Sequence, residues 1–206
     1  MRLLRFLAAL LVVLVALLAA TGVYLIRRPF PQISGTVRLQ GLQAEVQVIR
    51  DRWGIPHIFA QNERDLFFAQ GYVHAQDRLW QMDLSRRVAS GRLSEIFGEV
   101  TLDVDRFFRT LGLRRVAEEE VRLLDPSQRE ILEAYSAGVN AYIATHRGRL
   151  PLEFVLLRYA PESWTPADSI VFGKLMAWVL GGNWRAELLR AALIARFGEE
   201  GARRLL

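Results

Sequence analysis

The sequence predicts an α+β fold that is mainly helical, with short strands near the N-terminus. Three observations indicate this class. Between Asp65 and Gly98 the apolar residues recur at alternating steps of four and three, which is typical of a helix that buries one face. The segments 44–50 and 55–60 are short, apolar and bounded by turn residues, which predicts strands. A third segment, Phe6–Ile26, contains 21 residues and no charge.

The uncharged segment Phe6–Ile26 is the first predicted element. It is long enough to span a bilayer as a helix, and Arg2 and Arg5 before it favour a cytoplasmic N-terminus. Small residues at Ala20–Gly22 form a candidate cleavage site. We therefore predict that residues 1–28 are a signal peptide or a membrane anchor, and the residues leave both alternatives open. In either case we expect an exported protein, periplasmic or membrane-anchored.

Residues 29–43 are predicted to be a linker that includes the first strand. Two prolines at the start of this stretch end the apolar segment abruptly, which argues against a buried core helix there. Residues 36–39 are expected to pair with 44–50 as a hairpin. After a turn, residues 55–60 form another short strand, which Pro56 places at the edge or start of a sheet.

The stretch from Asp65 to Gly98 is predicted to contain the central helix of the chain. Asn62 is a suitable N-cap, Gly91 is expected to end or bend the helix, and Gly71 suggests that another backbone approaches closely. Arg86 alone interrupts the apolar series. Since burying unpaired charges costs on the order of several kcal/mol, we expect the polar side chains of this helix to be exposed or matched by partners.

Helices are also predicted for most of the remaining chain. They cover residues 113–124, residues 128–145 with Ser127 as N-cap, residues 167–180 with Thr165 as N-cap and Asp168 at N3, and residues 184–197 with Gly198 as the end. A break at residues 181–183 separates the last two helices. No element is assigned to residues 102–113.

Most of the net charge lies in the leader. The formal net charge is +5, with 27 basic and 22 acidic residues, but arginines 2, 5, 27 and 28 flank the first segment and leave 23 basic residues elsewhere. No basic stripe with interleaved aromatic residues is present, so nucleic acid is not an expected partner. The absence of cysteine excludes disulfides and cysteine-based metal sites. The three histidines, at 57, 74 and 146, show no metal-ligand spacing.

Five motifs follow one another along the chain. They are RDRWGIPHI at 50–58, GYVHAQDRLWQM at 71–82, GRLSE at 91–95, YSAGVNA at 135–141 and WTP at 164–166. Together, and in this order, they resemble the penicillin acylase family of N-terminal-nucleophile hydrolases. By this resemblance residues 44–206 form the family's α-chain, which is incomplete without a β-chain.

The resemblance implies a precursor with a signal peptide, an α-chain, a spacer and a β-chain, folded as a four-layer αββα sandwich. Autocleavage exposes a serine at the start of the β-chain. That serine attacks an amide with its own α-amine as base, while an oxyanion hole stabilises the intermediate. Because the chain ends at Leu206, before the expected β-chain, we assign no catalytic residue here and expect the chain to be inactive by itself.

The resemblance also implies what this chain supplies to the site. The helix pair after the WTP motif is expected to form part of the acyl pocket and to give one ligand of a structural calcium shared with the β-chain. Glu187 matches that ligand, since calcium prefers oxygen donors; the alternative is a surface glutamate paired with Arg190. Met176, Val179 and Leu180 are the candidate substrate-binding residues, with core packing as the alternative. Such a pocket favours an apolar acyl group.

The hypothesis that follows is an exported amidohydrolase that cleaves the acyl amide of penicillin-like or N-acyl small molecules, such as acyl-homoserine lactones. The catalytic serine lies on the β-chain, which is made in the same precursor and is the expected protein partner of this chain. If the leader is not cleaved, the protein also contacts the membrane through it. The alternative is a truncated, inactive, membrane-anchored helical protein. His74, Asp77 and Arg78 are of residue types found in active sites, but we interpret them as structural contacts of the central helix.

Overall fold

A computed structural model describes residues 2–205 of the 206-residue chain, without the side chains of residues 3, 4 and 8. Met1 and Leu206, the outer ends of the predicted leader and α-chain segments, lie outside the described residues. The fold class is α+β, as predicted. In chain order the elements are α1 (Arg2–Arg27), β1 (Gln47–Arg50), β2 (Pro56–Phe59), α2 (Glu63–Ser90), α3 (Ser94–Phe97), a 3₁₀ turn (Gly98–Thr101), α4 (Leu102–Leu111), α5 (Leu113–Leu123), α6 (Pro126–Thr145), α7 (Leu152–Leu156), α8 (Pro166–Leu180) and α9 (Trp184–Arg203).

Helix α1 contains the apolar N-terminal segment. Its span Arg5–Arg27 is long and apolar enough to cross a membrane, and the same length and composition also fit a signal sequence near an N-terminus. The most apolar part of this helix is not buried against the rest of the chain. Nothing in the body of the protein therefore accounts for its hydrophobicity.

Strands β1 and β2 form an antiparallel hairpin in which Gln47 lies opposite Phe59 and Arg50 opposite Pro56. The predicted pairing of residues 36–39 with 44–50 is wrong, because residues 36–39 are irregular. The physical reason lies at the end of that loop. The backbone N–H groups of Gln43 and Ala44 donate to the carboxylate of Asp65, at 2.8–3.1 Å, instead of joining a strand ladder.

Helices α2 and α6 form the centre of the fold. The side chain of Asn62 caps α2 by accepting from the N–H of Asp65, and Gly91 ends the helix with φ +63°, as predicted. The predicted close approach at Gly71 is confirmed, because a Cβ there would overlap the carbonyl oxygen of Tyr135. Gly138 of α6 makes the reciprocal approach to the backbone of Phe68. The buried apolar cluster around these helices consists of Tyr72, Ala75, Leu79, Val139, Tyr142, Phe154 and Trp164.

Several helix boundaries differ from the prediction. Helix α6 is capped by Asp125, whose side chain accepts from the N–H of Gln128, and Pro126 is its first residue. The predicted cap Ser127 instead donates its hydroxyl to Asp125. Helices α4 and α7 were not predicted. Gly198 breaks the last helix as predicted, with φ +73°, but helical residues continue beyond it to Arg203.

Helix α8 packs on α5, α2 and α6. Its buried residues Val171 and Leu175 join Ala89, Phe108 and Ala117 in a second apolar cluster. This cluster fixes the middle of α8, and the C-terminal end of the helix carries Val179 and Leu180 away from the core.

Candidate functional site

The N-terminus of α8 is fixed by a capping box. Thr165 and Asp168 form this box, and Pro166 occupies the first turn. The carboxylate of Asp168 accepts from the backbone N–H and the hydroxyl of Thr165, at 2.7 and 2.8 Å. It also accepts from Arg114 of α5 at 2.6 Å. A negative charge here complements the positive end of the helix dipole.

Arg86, the residue that interrupts the apolar series of α2, connects α2 to α8. Its guanidinium group donates to Asp83 at 2.6 and 2.9 Å and lies 3.5 Å from Asp168. It also donates to the carbonyls of Glu162 and Ser163, and its centre lies 5.2 Å from the ring of Trp164. Arg86 is only 4% exposed. Its burial is tolerated because every face of the guanidinium has a partner.

A second layer of charges surrounds this contact. Arg87 donates to Asp83 at 2.9 Å and to Glu95 at 2.6 Å, and Arg92 pairs with Glu162 at 2.6 Å. The hydrogen bond from Arg92 lowers the pKa of Glu162 to about 2. No buried side-chain nitrogen or oxygen of the described residues lacks a hydrogen-bond partner. The expectation that the polar groups of α2 are exposed or matched is therefore confirmed.

Arg114 and Glu162 are members of this network that the sequence analysis missed. Arg86 was the one available signal, as a charge on an otherwise apolar face. The network holds the first turn of α8 to α2 and α5 through buried ion pairs, so the direction of α8 is set by its N-terminal end.

The predicted pocket residues lie at the other end of α8. Met176 is half-buried and packs against the second apolar cluster. Val179 and Leu180 are 59% and 84% exposed. Core packing within this chain therefore does not account for Val179 and Leu180, and the structure brings them together on one exposed end of a helix.

An aromatic cluster brackets the turn that follows. The rings of Trp178 and Trp184, on either side of the break at residues 181–183, lie 5.5 Å apart. Phe107 of α4 contacts both, at 5.5 and 6.3 Å between ring centroids. Contacts of this kind stabilise by about 0.5–1.5 kcal/mol beyond the area that they bury. They restrain the turn that carries the chain from Leu180 to Glu187.

Glu187 lies in the first turn of α9 and is exposed. Glu187 and Arg190, both described by the structure, form no ion pair, so the alternative pairing is not formed. Within residues 2–205, no group of three His, Cys, Asp or Glu residues could hold a metal ion. Glu187 therefore offers a single exposed carboxylate, and its role as a calcium ligand stays a prediction.

The catalytic-looking residues of α2 make structural contacts. Asp77 accepts two hydrogen bonds from Arg50 of β1, at 2.8 and 2.9 Å. The Nδ1 atom of His74 lies 3.0 Å from the hydroxyl of Tyr135 in α6. Arg78 has a non-helical backbone, with φ −142° and ψ 20°, and marks a kink in α2. Asp77 and His74 thus tie α2 to its neighbours, in agreement with the structural interpretation.

Apolar side chains remain exposed on α9 and on the β1–β2 hairpin. In α9 only Ala202 is buried, and Leu188, Leu189, Ile194 and Phe197 are 38–61% exposed. The β1–β2 hairpin also exposes Ile49, Trp53 and Phe59. Soluble monomers rarely expose contiguous apolar patches larger than a few hundred Å². These faces are therefore candidates for contact with a further polypeptide segment.

Comparison with known proteins shows the relatives of this chain. It is 43% identical over 154 residues to the penicillin acylase 2 proenzyme of a Pseudomonas species, and the match covers 75% of the chain and 20% of the relative. It is 38% identical over 170 residues to the acyl-homoserine lactone acylase QuiP of Pseudomonas aeruginosa, covering 82% of the chain and 20% of the relative. The chain thus spans about a fifth of the length of these curated relatives.

A solved structure and a family profile agree with these matches. The thermostable penicillin G acylase from Alcaligenes faecalis superposes with a TM-score of 0.63 and 31% identity, over 78% of this chain and 88% of that chain. The profile of the penicillin amidase family matches residues 45–206. The chain belongs to the penicillin amidase family.

Proposed function

We propose that this chain is the α-chain portion of an exported amidohydrolase that cleaves the acyl amide of penicillin-like or other N-acyl small molecules. The observation that carries the proposal is the 43% identity to a penicillin acylase proenzyme. The similarity to an acyl-homoserine lactone acylase supports N-acyl substrates as well as penicillins. The nucleophilic serine lies on a β-chain, which docks on the uncovered apolar faces of α9 and the hairpin.

This chain contributes one wall of the acyl pocket. Met176, Val179 and Leu180 supply it, and the two exposed side chains are available to a substrate once a β-chain closes the other side. The ion pairs of Arg86 and the aromatic cluster of Phe107 hold that wall in place, so it is formed before substrate binds. A wall of aliphatic and thioether groups binds an apolar acyl group by burial of its surface.

The same turn supplies a calcium ligand in this proposal. Glu187 offers a carboxylate that no arginine neutralises, and the remaining ligands come from the β-chain. When bound, the calcium is structural and stabilises the contact between the two chains. It takes no part in bond breaking.

We further propose three segments along the chain. Residues 1–28 are the exported leader, either cleaved or retained as an anchor, residues 29–43 are a linker, and residues 44–206 are the α-chain proper. The apolar, exposed character of α1 supports the first of these assignments. The end of the linker is fixed to α2, because the backbone N–H of Gln43 donates to the carboxylate of Asp65. This contact supports a boundary after residue 43.

Profiling of acyl length tests the pocket assignment in the full-length protein. Truncating Leu180 to alanine removes a side chain whose full burial is worth about 1.5–3 kcal/mol. We expect kcat/KM to fall about 10- to 100-fold for amides whose acyl chain reaches this position, and to change little for acetyl amides. Leu123→Ala, which removes an equally exposed leucine at the end of α5, is the matched control. Parallel losses for all acyl lengths, or equal effects of the two variants, would contradict the assignment.

A further inference from the structure

A cavity of about 410 Å³ lies where the end of α1 meets the loop and short helix between α6 and α8. Leu25 and Arg28 line it from the α1 side. Arg147 and Arg158 line it from the body, above an apolar floor that includes Leu152 and Phe154. Its volume is within the range of small-molecule sites, and Met176, Val179 and Leu180 do not line it.

Three arginines and no acidic residue line this cavity. Within the described residues, Arg28, Arg147 and Arg158 form no ion pair. Glu153 of α7 is close in sequence but is not part of the lining. All three arginines are exposed, so a phosphate group can reach them and accept paired hydrogen bonds from the guanidinium groups.

The backbone of Arg158 is unusual. Its φ of +55° makes it the one residue other than glycine with a left-handed conformation in the described chain. Such a conformation is uncommon for residues with a side chain. Here it ends helix α7 in a C-capping motif, in which the N–H of Tyr159 donates to the carbonyl of Phe154 at 3.2 Å. A charged side chain thus lies at the cavity, at a backbone position that glycine would adopt with less strain.

The position of the cavity identifies the source of the phosphate. Leu25 lies at the C-terminal end of the apolar span Arg5–Arg27 and Arg28 directly follows it, so a retained, membrane-spanning α1 would place the cavity at the membrane surface. Val155 and Leu156, on the same short helix α7, are 54% and 69% exposed. Arginines beside exposed apolar residues suit the boundary between headgroups and acyl chains.

We propose that this cavity binds the headgroup phosphate of an anionic phospholipid. The lipid then holds the body of the enzyme against the membrane in one orientation. The proposal rests on the alternative in which the leader is retained, because removal of residues 1–28 would take Leu25 and Arg28 out of the lining. The proposal is independent of the acyl specificity proposed above.

Native mass spectrometry of the full-length protein in a neutral detergent tests the proposal. We expect dioleoylphosphatidylglycerol to bind more tightly than dioleoylphosphatidylcholine and to raise the thermal midpoint, because a ligand that binds only the folded state stabilises it. The double variant Arg147→Gln/Arg158→Asn removes two charges, and asparagine tolerates the left-handed backbone. At about 1 kcal/mol per arginine, affinity for phosphatidylglycerol should fall about 25-fold.

The matched control is Arg106→Gln/Arg122→Gln, which removes two exposed charges outside the cavity. This control should retain the affinity of the parent protein. Equal binding of the two lipids would overturn the proposal, as would equal losses in the two double variants. Inorganic phosphate that binds as well as the lipid would show a free-anion site instead. Absence of lipid binding would likewise overturn the proposal.

Discussion

Replacing Gly138 by alanine should destabilise the protein, although alanine is the better helix former. Gly138 faces α2, and a Cβ at this position would overlap the carbonyl oxygen of Phe68 and lie 2.9 Å from the backbone nitrogen of Tyr72. Both neighbours are backbone atoms of a helix, so they cannot turn aside as a flexible side chain would. The two central helices therefore have to separate.

The size of the effect follows from the separation. A Cβ at Gly138 would lie 1.9 Å from the carbonyl oxygen of Phe68, and ordinary contacts of a Cβ begin at 3.4 Å, so this contact has to lengthen by about 1.5 Å. A gap above 1 Å forfeits at least about half of the contact energy across it. Tyr72, Leu79, Val139 and Tyr142 are buried around this contact, and each contributes about 2 kcal/mol by burial. The loss is then at least about 4 kcal/mol. Alanine returns about 1 kcal/mol through helix propensity, which leaves a net destabilisation of at least about 3 kcal/mol.

Pulse proteolysis of the full-length protein in increasing urea measures this change as a lower midpoint. Gly173→Ala is the matched control, because Gly173 also lies inside a helix and a Cβ there meets nothing within 4 Å. It should raise the midpoint slightly. A Gly138→Ala variant as stable as Gly173→Ala would refute the close packing of α2 on α6.

Three further results are expected. Glu187→Ala should lower the calcium retained by the full-length protein after dialysis, whereas Glu199→Ala on the same helix should not; equal calcium contents would remove Glu187 from the site. Glu162 has a folded-state pKa of about 2, below its usual 4.5, so its pairing with Arg92 stabilises above pH 4.5 and is lost as the pH falls towards 2. Glu162→Gln should therefore lose less stability across that window in acid unfolding, and superimposable curves would contradict the pairing. Phe107→Ala should speed limited proteolysis at residues 181–183, and an unchanged rate would show that the aromatic cluster does not restrain the turn.

The central helix was predictable because its signals are local. The alternating spacing of apolar residues, the cap at Asn62 and the glycine at 91 each act within a few residues of their own position. Gly71 was informative because glycine lowers the stability of a helix, so it is expected inside one where another backbone leaves no room for a side chain. The charge of Arg86 on an apolar helix face indicated that it has a buried partner, but not which residue that partner is.

The errors arose where distant residues decide the local conformation. The sequence of residues 36–39 resembles a strand. The backbone N–H groups of Gln43 and Ala44, however, donate to the carboxylate of Asp65, and no neighbouring strand pairs with residues 36–39. At the start of α6, Asp125 and Ser127 are both good capping residues, and Pro126 decides between them because it fits the first helical position. Apart from Asp83, the hydrogen-bond partners of Arg86 lie 76–82 residues further along the chain, beyond any local pattern.

The candidate site was only partly predictable for a different reason. The sequence placed Met176, Val179, Leu180 and Glu187 on one helix pair, and the structure agrees with that placement. Their roles depend on surfaces that the described residues do not supply, because Val179, Leu180 and Glu187 are exposed. The structure shows instead how the helix pair is held, through charges at the start of α8 and aromatic rings around its end.

The central proposal is that the active site is divided between this chain and a β-chain. Its most direct test is to measure hydrolysis of N-acyl amides of graded chain length by the purified 206-residue chain. The full-length protein serves as the positive control under the same conditions. We expect turnover by the full-length protein and none above the blank by the 206 residues alone, since we propose that the attacking group lies on the β-chain. Amide cleavage by the isolated chain would contradict it.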